Sequence, residues 1–177
     1  RISVSSSIIK IFTRPPTCYT YYLSKNGLVW LGTSEGLSLY NPKQTAIKTI
    51  FGDTGRLNGI SDININALSE DSQGNIWLGL RANGVDIVDP SLGLIEHIEV
   101  DPNTPKTSLP GGAIETLTNH PSGKAFIGSN WGIYQYKDKK LKRLDTKNRN
   151  TDSYTGSVFL ENDNLWAGGT DGLWRFN

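Results

Sequence analysis

A short phrase built from one aromatic residue and two glycines occurs four times along this chain, and it constrains the fold more than any other feature. In each copy the first glycine follows the aromatic residue by two positions, and the second glycine follows the first by four or five. The copies are Trp30 with Gly32 and Gly36, Trp77 with Gly79 and Gly84, Phe126 with Gly128 and Gly132, and Trp166 with Gly168 and Gly172. A phrase that recurs in step indicates a repeat protein in which every copy marks one supersecondary unit.

The distance between the copies indicates what that unit is. The first glycines are 47, 49 and 40 residues apart, which brackets the roughly 40–50 residues of a four-stranded propeller blade. No stretch carries apolar residues at helical spacing over three turns, and helix caps are missing too. The sequence therefore predicts an all-β fold, a β-propeller segment of about four four-stranded antiparallel blades in a single domain.

Each predicted blade contains a first strand, a second strand with the aromatic residue, a third strand after the second glycine, and an outer strand. First strands are predicted at 19–23, 63–68, 113–117 and 157–160, and outer strands at 46–51, 94–100 and 141–144. The predicted blades are 17–52, 53–101, 102–146 and 147–177. The last blade lacks an outer strand, whereas residues 1–16 contain an apolar run at 8–12 that would be the outer strand of a preceding or ring-closing blade.

The two ends of the repeat array allow two arrangements. Segment 8–12 could pair with the third strand of the last unit and close a ring of four blades, or it could belong to a missing blade of a larger ring. An isolated arc exposes apolar faces at both ends, which soluble monomers avoid, but nothing in the repeats indicates the tight curvature of a four-bladed ring. The chain also contains no Met, not even an initiator. We therefore expect an arc cut from a larger propeller.

The best-preserved copies resemble the two-component regulator propeller repeat. That repeat runs Asp-x-x-Gly-Asn-Ile-Trp-Leu-Gly-Thr-x-x-Gly-Leu-x-x-Tyr-Asp-Pro, and residues 71–79 and 32–42 match its two parts closely. The chain departs from it at Phe126, which replaces the Trp, at Leu80, which replaces the Thr, and before Asn164, where the Gly is missing. These departures weaken individual copies and leave the phase of the repeat intact.

The resemblance implies a function as well as a fold. Such repeats form the extracytoplasmic sensor half of bacterial hybrid two-component histidine kinases, usually as seven-bladed propellers, and many regulate the use of polysaccharides. It thus implies a non-catalytic, periplasmic sensing segment of a membrane-anchored homodimer, with an oligosaccharide ligand, the remaining blades and a kinase as partners. The alternatives are a protein-interaction scaffold and a propeller lyase or hydrolase.

Composition excludes several other classes of function. The 18 basic and 17 acidic residues nearly balance, and no basic cluster indicates binding to nucleic acid. No set of His, Cys, Asp and Glu has metal-ligand spacing, so we predict neither a metal nor a cofactor. No apolar run approaches the roughly 18 residues of a membrane span. The single cysteine, Cys18, excludes an intrachain disulfide.

The sequence contains one pattern that imitates a catalytic motif. Residues 32–36 match Gly-x-Ser-x-Gly, but a nucleophile elbow needs a helix after the serine, and a strand is predicted there. Ser34 therefore occupies a repeated turn. His97 and His120 are predicted to lie alone, on an outer strand and in a turn.

The tryptophans divide into two groups. Trp30, Trp77 and Trp166, with Phe126, keep one phase and are predicted to pack adjacent blades together. Trp131 and Trp174 lie outside that phase, and strand parity places Trp131 on the face that carries the long inter-blade loops. This position favours either a ligand contact or a cap over the loop 101–112. The candidate ligand-binding residues on this face are Trp131, Asn130, Arg81, Asn83, Asp171 and Arg149.

Overall fold

The computed structural model describes residues 17–50, 59–104, 108–144 and 153–176, with only the backbone described over 44–50. These residues form fifteen strands and no helix. The predicted outer strand at 8–12 and the predicted ligand contact Arg149 lie outside the described residues. The strands are β1 Cys18–Leu23, β2 Val29–Thr33, β3 Gly36–Asn41, β4 Gln44–Ile50, β5 Ile65–Glu70, β6 Ile76–Leu80, β7 Val85–Asp89, β8 Gly93–Ile98, β9 Ile114–Asn119, β10 Ala125–Ser129, β11 Gly132–Lys137, β12 Lys140–Arg143, β13 Thr155–Glu161, β14 Asn164–Gly169 and β15 Gly172–Phe176.

These strands form four antiparallel sheets in which sequence neighbours pair in order. Blade 1 is β1–β4, blade 2 is β5–β8, blade 3 is β9–β12, and blade 4 is the three-stranded sheet β13–β15. The predicted all-β fold with propeller-like blades is thereby confirmed. The boundaries between blades fall partly in segments that are not described, so they stay predictions.

Glycine is required where the chain turns tightly between strands. Gly74, with φ of 87°, lies in the turn between β5 and β6, and blade 4 places Asn162, with φ of 55°, in the corresponding turn. Gly84 precedes β7 with φ of 79°, and a Cβ there would lie 2.2 Å from the carbonyl oxygen of Ile98. Side chains other than glycine rarely adopt this conformation, and Asn is among the few that tolerate it.

The blades pack face to face through apolar layers. Three buried clusters lie between blades 1 and 2, 2 and 3, and 3 and 4, and they are centred on Trp30, Trp77 and Phe126 respectively. The first strands β1, β5, β9 and β13 lie side by side along the inner edge. Packing of one sheet against the next, rather than any central core, therefore holds the array together.

The two end blades each leave an apolar face uncovered. On blade 1, Tyr19, Tyr21 and Leu23 of β1 are exposed. On blade 4, Phe159 and Leu173 are exposed, and Trp166 is only half-buried. The corresponding faces of the inner blades are buried, so the described residues form an open arc.

Candidate functional site

The chain gathers its longest connections at one end of the blades, which we call the loop-rich face. It comprises the turns between second and third strands, at 34–35, 81–84, 130–131 and 170–171, and the inter-blade segments 59–64, 99–104, 108–113 and 153–154. Because the strands of each blade alternate in direction, these turns and the starts of the first strands must meet at the same end.

Backbone hydrogen bonds fix the turns of blades 1, 2 and 4 to the residue that precedes the first strand of the same blade. The amide of Ser34 donates to the carbonyl of Thr17 at 2.9 Å, and the amide of Arg81 donates to that of Asn64 at 3.0 Å. In blade 4 the amide of Thr170 donates to the carbonyl of Tyr154 at 3.3 Å. Three turns of the loop-rich face are therefore anchored to the scaffold of their blades, which gives loops the defined geometry that binding needs.

Trp131 is one of three exposed large apolar residues on this face, with Ile63 and Tyr154. Trp131 is 45% exposed, and its backbone amide donates to the hydroxyl of Ser129 at 3.1 Å. A Cβ on Gly112 would lie 3.2 Å from its indole Nε1, so the ring lies over the loop that leads into blade 3. Trp131 thus packs on that loop through one part of the ring and presents the rest to solvent.

The other predicted ligand contacts divide between two places. Asn130 and Trp131 both lie beside Gly112. The side-chain amide of Asn83 instead donates to the backbone carbonyl of Ser61 at 3.0 Å. Arg81 and Asp171 are exposed in their turns. Among the described residues, no hydrogen bond or ion pair joins these side chains to one another. Their role as ligand contacts stays a prediction.

A polar cluster that the sequence analysis missed lies below the turn that carries Arg81 and Asn83. The Asp86 carboxylate is fully buried. It accepts hydrogen bonds from the Ser61 amide at 2.6 Å and from the Ser61 hydroxyl at 2.9 Å, and it lies 2.6 Å from His97 Nδ1. The cluster ties the segment after blade 1 to strands β7 and β8 of blade 2.

The expectation that both histidines lie alone is wrong. His97 contacts Asp86 and Ser61. His120 Nε2 lies 3.2 Å from the Asp163 carboxylate, which links the turns of blades 3 and 4. Asp86 and His97 are cross-strand partners in the β7–β8 hairpin, whereas Ser61, His120 and Asp163 meet their partners only through packing between distant segments. The one indication in the sequence was Asp86 itself, a charged residue between the apolar Val85 and Ile87 of the third strand.

Although Ser61, His97 and Asp86 are the residue types of a hydrolase triad, their arrangement differs from one. In a triad the serine contacts Nε2 of the imidazole and the carboxylate contacts Nδ1. Here Nδ1 of His97 faces both partners, at 3.2 Å from the Ser61 hydroxyl and 2.6 Å from Asp86, and the serine donates to the carboxylate instead. In this arrangement the cluster supplies hydrogen-bond partners to a buried carboxyl group.

Polar contacts also join blades 2 and 3 at their outer rim. The Tyr136 hydroxyl donates to the Glu96 carboxylate, and burial together with this carboxylate raises the pKa of Tyr136 well above its usual range. A cavity of about 250 Å³ opens beside this pair, and its lining includes Ser108 and Lys139. Through Glu99 and Ser108 the cavity adjoins the inter-blade segments of the loop-rich face.

The aromatic residues of the repeat have structural partners. The Trp77 indole donates to the Asp71 carboxylate at 3.1 Å and meets the Tyr136 ring edge-on, with centroids 5.6 Å apart. The Trp166 indole donates to Glu161 at 3.1 Å. In blades 2 and 4 the tryptophan of the repeat phrase is therefore hydrogen-bonded to an acidic residue that precedes its strand.

Two features of other functional classes are not found in the described part of the chain. No group of three or more His, Cys, Asp or Glu residues there could hold a metal ion. Within the same residues, none forms a helix of the length and hydropathy that crossing a membrane requires.

Comparison with known proteins agrees with the architecture. Residues 59–81 match the model of the two component regulator propeller family, which confirms the resemblance predicted from the repeat phrase. No curated protein sequence matches the chain.

Among solved structures, the extracellular domain of the hybrid two component system BT3049 from B. thetaiotaomicron is 19% identical, with a TM-score of 0.76, over 100% of this chain and 24% of that one. The extracellular domain of BT4673 from the same organism is 21% identical, with a TM-score of 0.68, over 90% of this chain and 21% of that one. PorZ, a surface component of the type-IX secretion system of Porphyromonas gingivalis, is 16% identical, with a TM-score of 0.68, over 90% of this chain and 26% of that one. Identities of this size show a shared fold, and the chain spans about a quarter or less of the two-component domains it matches.

Proposed function

We propose, from the two component regulator propeller repeat at residues 59–81, that this chain is a non-catalytic sensing segment of a larger bacterial two-component sensor. It is an arc of a larger ring, of the seven-bladed type, located outside the cytoplasm. It binds a carbohydrate, and a kinase outside this chain, in a membrane-anchored homodimer, reads the result. Binding can transmit a signal only if the ligand has different affinities for two arrangements of that dimer.

The open ends of the array support a place within a larger ring. The uncovered faces of blades 1 and 4 carry large apolar side chains, such as Tyr21 and Leu173, which a free protein surface rarely groups together. Further blades of the same protein would cover both faces. The similar domains of the two hybrid systems are about four times as long as this chain or longer.

The observation that carries the binding proposal is the position of Trp131. An exposed indole in this turn offers a flat apolar face, which suits the C–H surface of a sugar ring. Asn130 lies beside it, and Arg81, Asn83 and Asp171 offer polar groups on the same face. The geometry of Ser61, His97 and Asp86 favours binding over catalysis, because that cluster lacks a nucleophile activated by the imidazole.

Titration of the chain with a panel of oligosaccharides, followed by calorimetry, tests this proposal. We expect saturable binding to at least one of them, and a loss of about tenfold or more in affinity for Trp131→Ala, as for a central aromatic contact. Phe159→Ala removes an exposed aromatic residue of β13 in blade 4, outside the loop-rich face, and should leave the affinity unchanged. Binding that survives Trp131→Ala would contradict the site, and silence across the panel would favour a protein-interaction scaffold.

A further inference from the structure

The second residue of every first strand is the extra residue of a β-bulge, at the end of the strand that belongs to the loop-rich face. In blade 2, Asn66 has no partner on β6, because Ile65 and Ala67 pair with consecutive residues of that strand. The same irregularity recurs in the other three blades. Bulges re-aim a side chain on an edge strand and are over-represented beside functional sites. The four extra residues are Tyr19, Asn66, Glu115 and Gly156.

The extra residues of blades 2 and 3 lie next to one another. The one in blade 2 is followed by Ala67, and the one in blade 3 is preceded by Ile114. A Cβ on Gly79 would lie 2.9 Å from Ala67 Cβ and 2.7 Å from Ile114 Cγ2. Because these two flanking residues converge on one point, and because β5 and β9 lie side by side, Asn66 and Glu115 are neighbours across the joint between the two blades.

Asn66 and Glu115 keep hydrogen-bonding groups that the fold does not use. Both residues are half-buried, and within the described ranges neither side chain forms a hydrogen bond or an ion pair. Blades 2 and 3 are covered on both faces, so the accessibility of these groups does not come from an uncovered end of the arc. A ligand that covers them must supply the missing partners, because a polar group buried without a hydrogen bond weakens binding.

In blade 4 an aromatic ring takes the place of the side chain that the extra residue lacks. A Cβ on Gly156 would lie 2.7 Å from Tyr154 Cε1 and 2.8 Å from the Tyr154 hydroxyl. This bulge adjoins that of blade 3, since a Cβ on Gly128 would lie 2.4 Å from Thr116 Cγ2 and 3.0 Å from Thr155 Cγ2. The Tyr154 ring, 41% exposed, therefore continues the line of extra residues along the inner edge.

We propose that Asn66, Glu115 and Tyr154, which we call the inner-edge row, are the specificity-determining part of the carbohydrate site. The inference rests on the proposed function and extends its site from Trp131 to the inner edge. Trp131 lies over Gly112, and the three residues from Gly112 to Glu115 span at most about 11 Å of extended chain. A short oligosaccharide can therefore contact the indole and the row together.

The chemistry of the inner-edge row selects neutral sugars and amino sugars over acidic ones. A carboxylate and an amide oxygen accept hydrogen bonds from hydroxyl and ammonium groups, and a tyrosine ring packs on an apolar sugar face. A ligand carboxylate would instead meet the like charge of Glu115, which costs affinity. The surroundings add to this effect. The described segments of the loop-rich face carry one cation, Arg81, against five carboxylates, at Glu35, Asp62, Glu99, Asp101 and Asp171.

Calorimetry with neutral, amino-substituted and uronate-containing oligosaccharides of equal length tests the proposal. The parent chain should bind a neutral or amino-substituted member and discriminate against the uronates. Glu115→Gln should weaken that binding about tenfold or more and reduce the discrimination, and Asn66→Ala should weaken it about threefold to tenfold. Both variants should keep the melting temperature of the parent, because neither side chain has a partner to lose and neither residue is among those with positive φ.

Glu99→Gln is the matched control. It removes the same charge from an exposed position on the loop-rich face, beside the rim cavity, and should change neither affinity nor discrimination. Equal effects of Glu99→Gln and Glu115→Gln would overturn the inference, as would a parent chain that prefers uronates. Binding that depends on Trp131 but is unchanged in Glu115→Gln and Asn66→Ala overturns the inference and leaves the proposed function standing. Silence across the whole panel overturns both.

Discussion

At the scale of single residues, the chain satisfies its buried polar groups with partners from distant positions. The Asp86 side chain is buried between blades 1 and 2. It accepts hydrogen bonds from the backbone amide and the hydroxyl of Ser61, and it lies 2.6 Å from His97 Nδ1. A buried carboxylate is tolerated only when its hydrogen bonds are complete. The position of Asp86 in its strand is occupied by Ser38 in blade 1 and Tyr134 in blade 3, so the cluster is particular to one blade interface.

Asp86→Ala should therefore be strongly destabilising. Removing one partner of a buried charged cluster typically costs about 3–5 kcal/mol, because the remaining groups are left buried and unpaired. The free energy of unfolding in urea measures this loss. Asp163→Ala is the control: its carboxylate is 94% exposed in its contact with His120, and an exposed pair contributes about 0–1 kcal/mol. Equal losses in the two variants would contradict a structural role for the Asp86 cluster.

At the scale of strands and turns, the repeat phrase encodes how closely one blade approaches the next. The aromatic residue supplies the packing surface, and the glycine two positions later supplies the space for a neighbouring strand. The first glycine of the repeat phrase thus has two different environments in the described residues. Side chains of Thr116 and Thr155 crowd the Cβ position of Gly128, whereas the nearest atom to that of Gly168 is 4.0 Å away.

This difference predicts opposite results for the same substitution. Gly128→Ala places a methyl group 2.4 Å from Thr116 Cγ2 and 3.1 Å from the backbone oxygen of Thr155. Such overpacking should lower the free energy of unfolding by about 1–3 kcal/mol. Gly168→Ala meets no atom closer than 4.0 Å and should be neutral or slightly stabilising. The melting temperatures of the two variants test this difference, and an equal loss of stability in both would contradict it.

At the scale of the whole molecule, the arc behaves as a one-dimensional array. Blades 2 and 3 are covered on both faces, whereas blades 1 and 4 are each covered on one. In such arrays the stability of a unit is roughly the sum of its own stability and its contacts with its neighbours. The end blades therefore have fewer stabilising contacts than the inner ones.

Amide hydrogen exchange should reveal this gradient at concentrations where the chain is monomeric. Amides of β6 and β10, the second strands of the inner blades, should exchange more slowly than those of β2 and β14 in the end blades, because local opening is easier where one face is free. Second strands are compared because each lies inside its sheet and forms ladders on both sides. Uniform protection across the four strands would contradict the array description.

The sequence alone was sufficient to predict the all-β class, the propeller-like blades and the order of strands within each blade. These follow from local periodicity: the aromatic residue and the two glycines specify a strand, a turn and a strand wherever they occur. The turn that carries Trp131 was predicted for the same reason. The first strand of the second blade was predicted to begin two residues early, at 63 instead of Ile65, because Asn64 uses its carbonyl to anchor the turn at Arg81.

Only the tertiary structure decided which groups meet. Asp86 and His97 belong to paired strands, but Ser61 reaches them from 25 residues away, and no local pattern encodes such a contact. The exposure of Trp131 and the crowding around Gly128 and Gly168 likewise depend on neighbouring segments that are distant in the sequence. Local sequence sets the backbone path of each blade through short-range sterics and periodicity. Burial and partner choice arise only when separate blades exclude water between them.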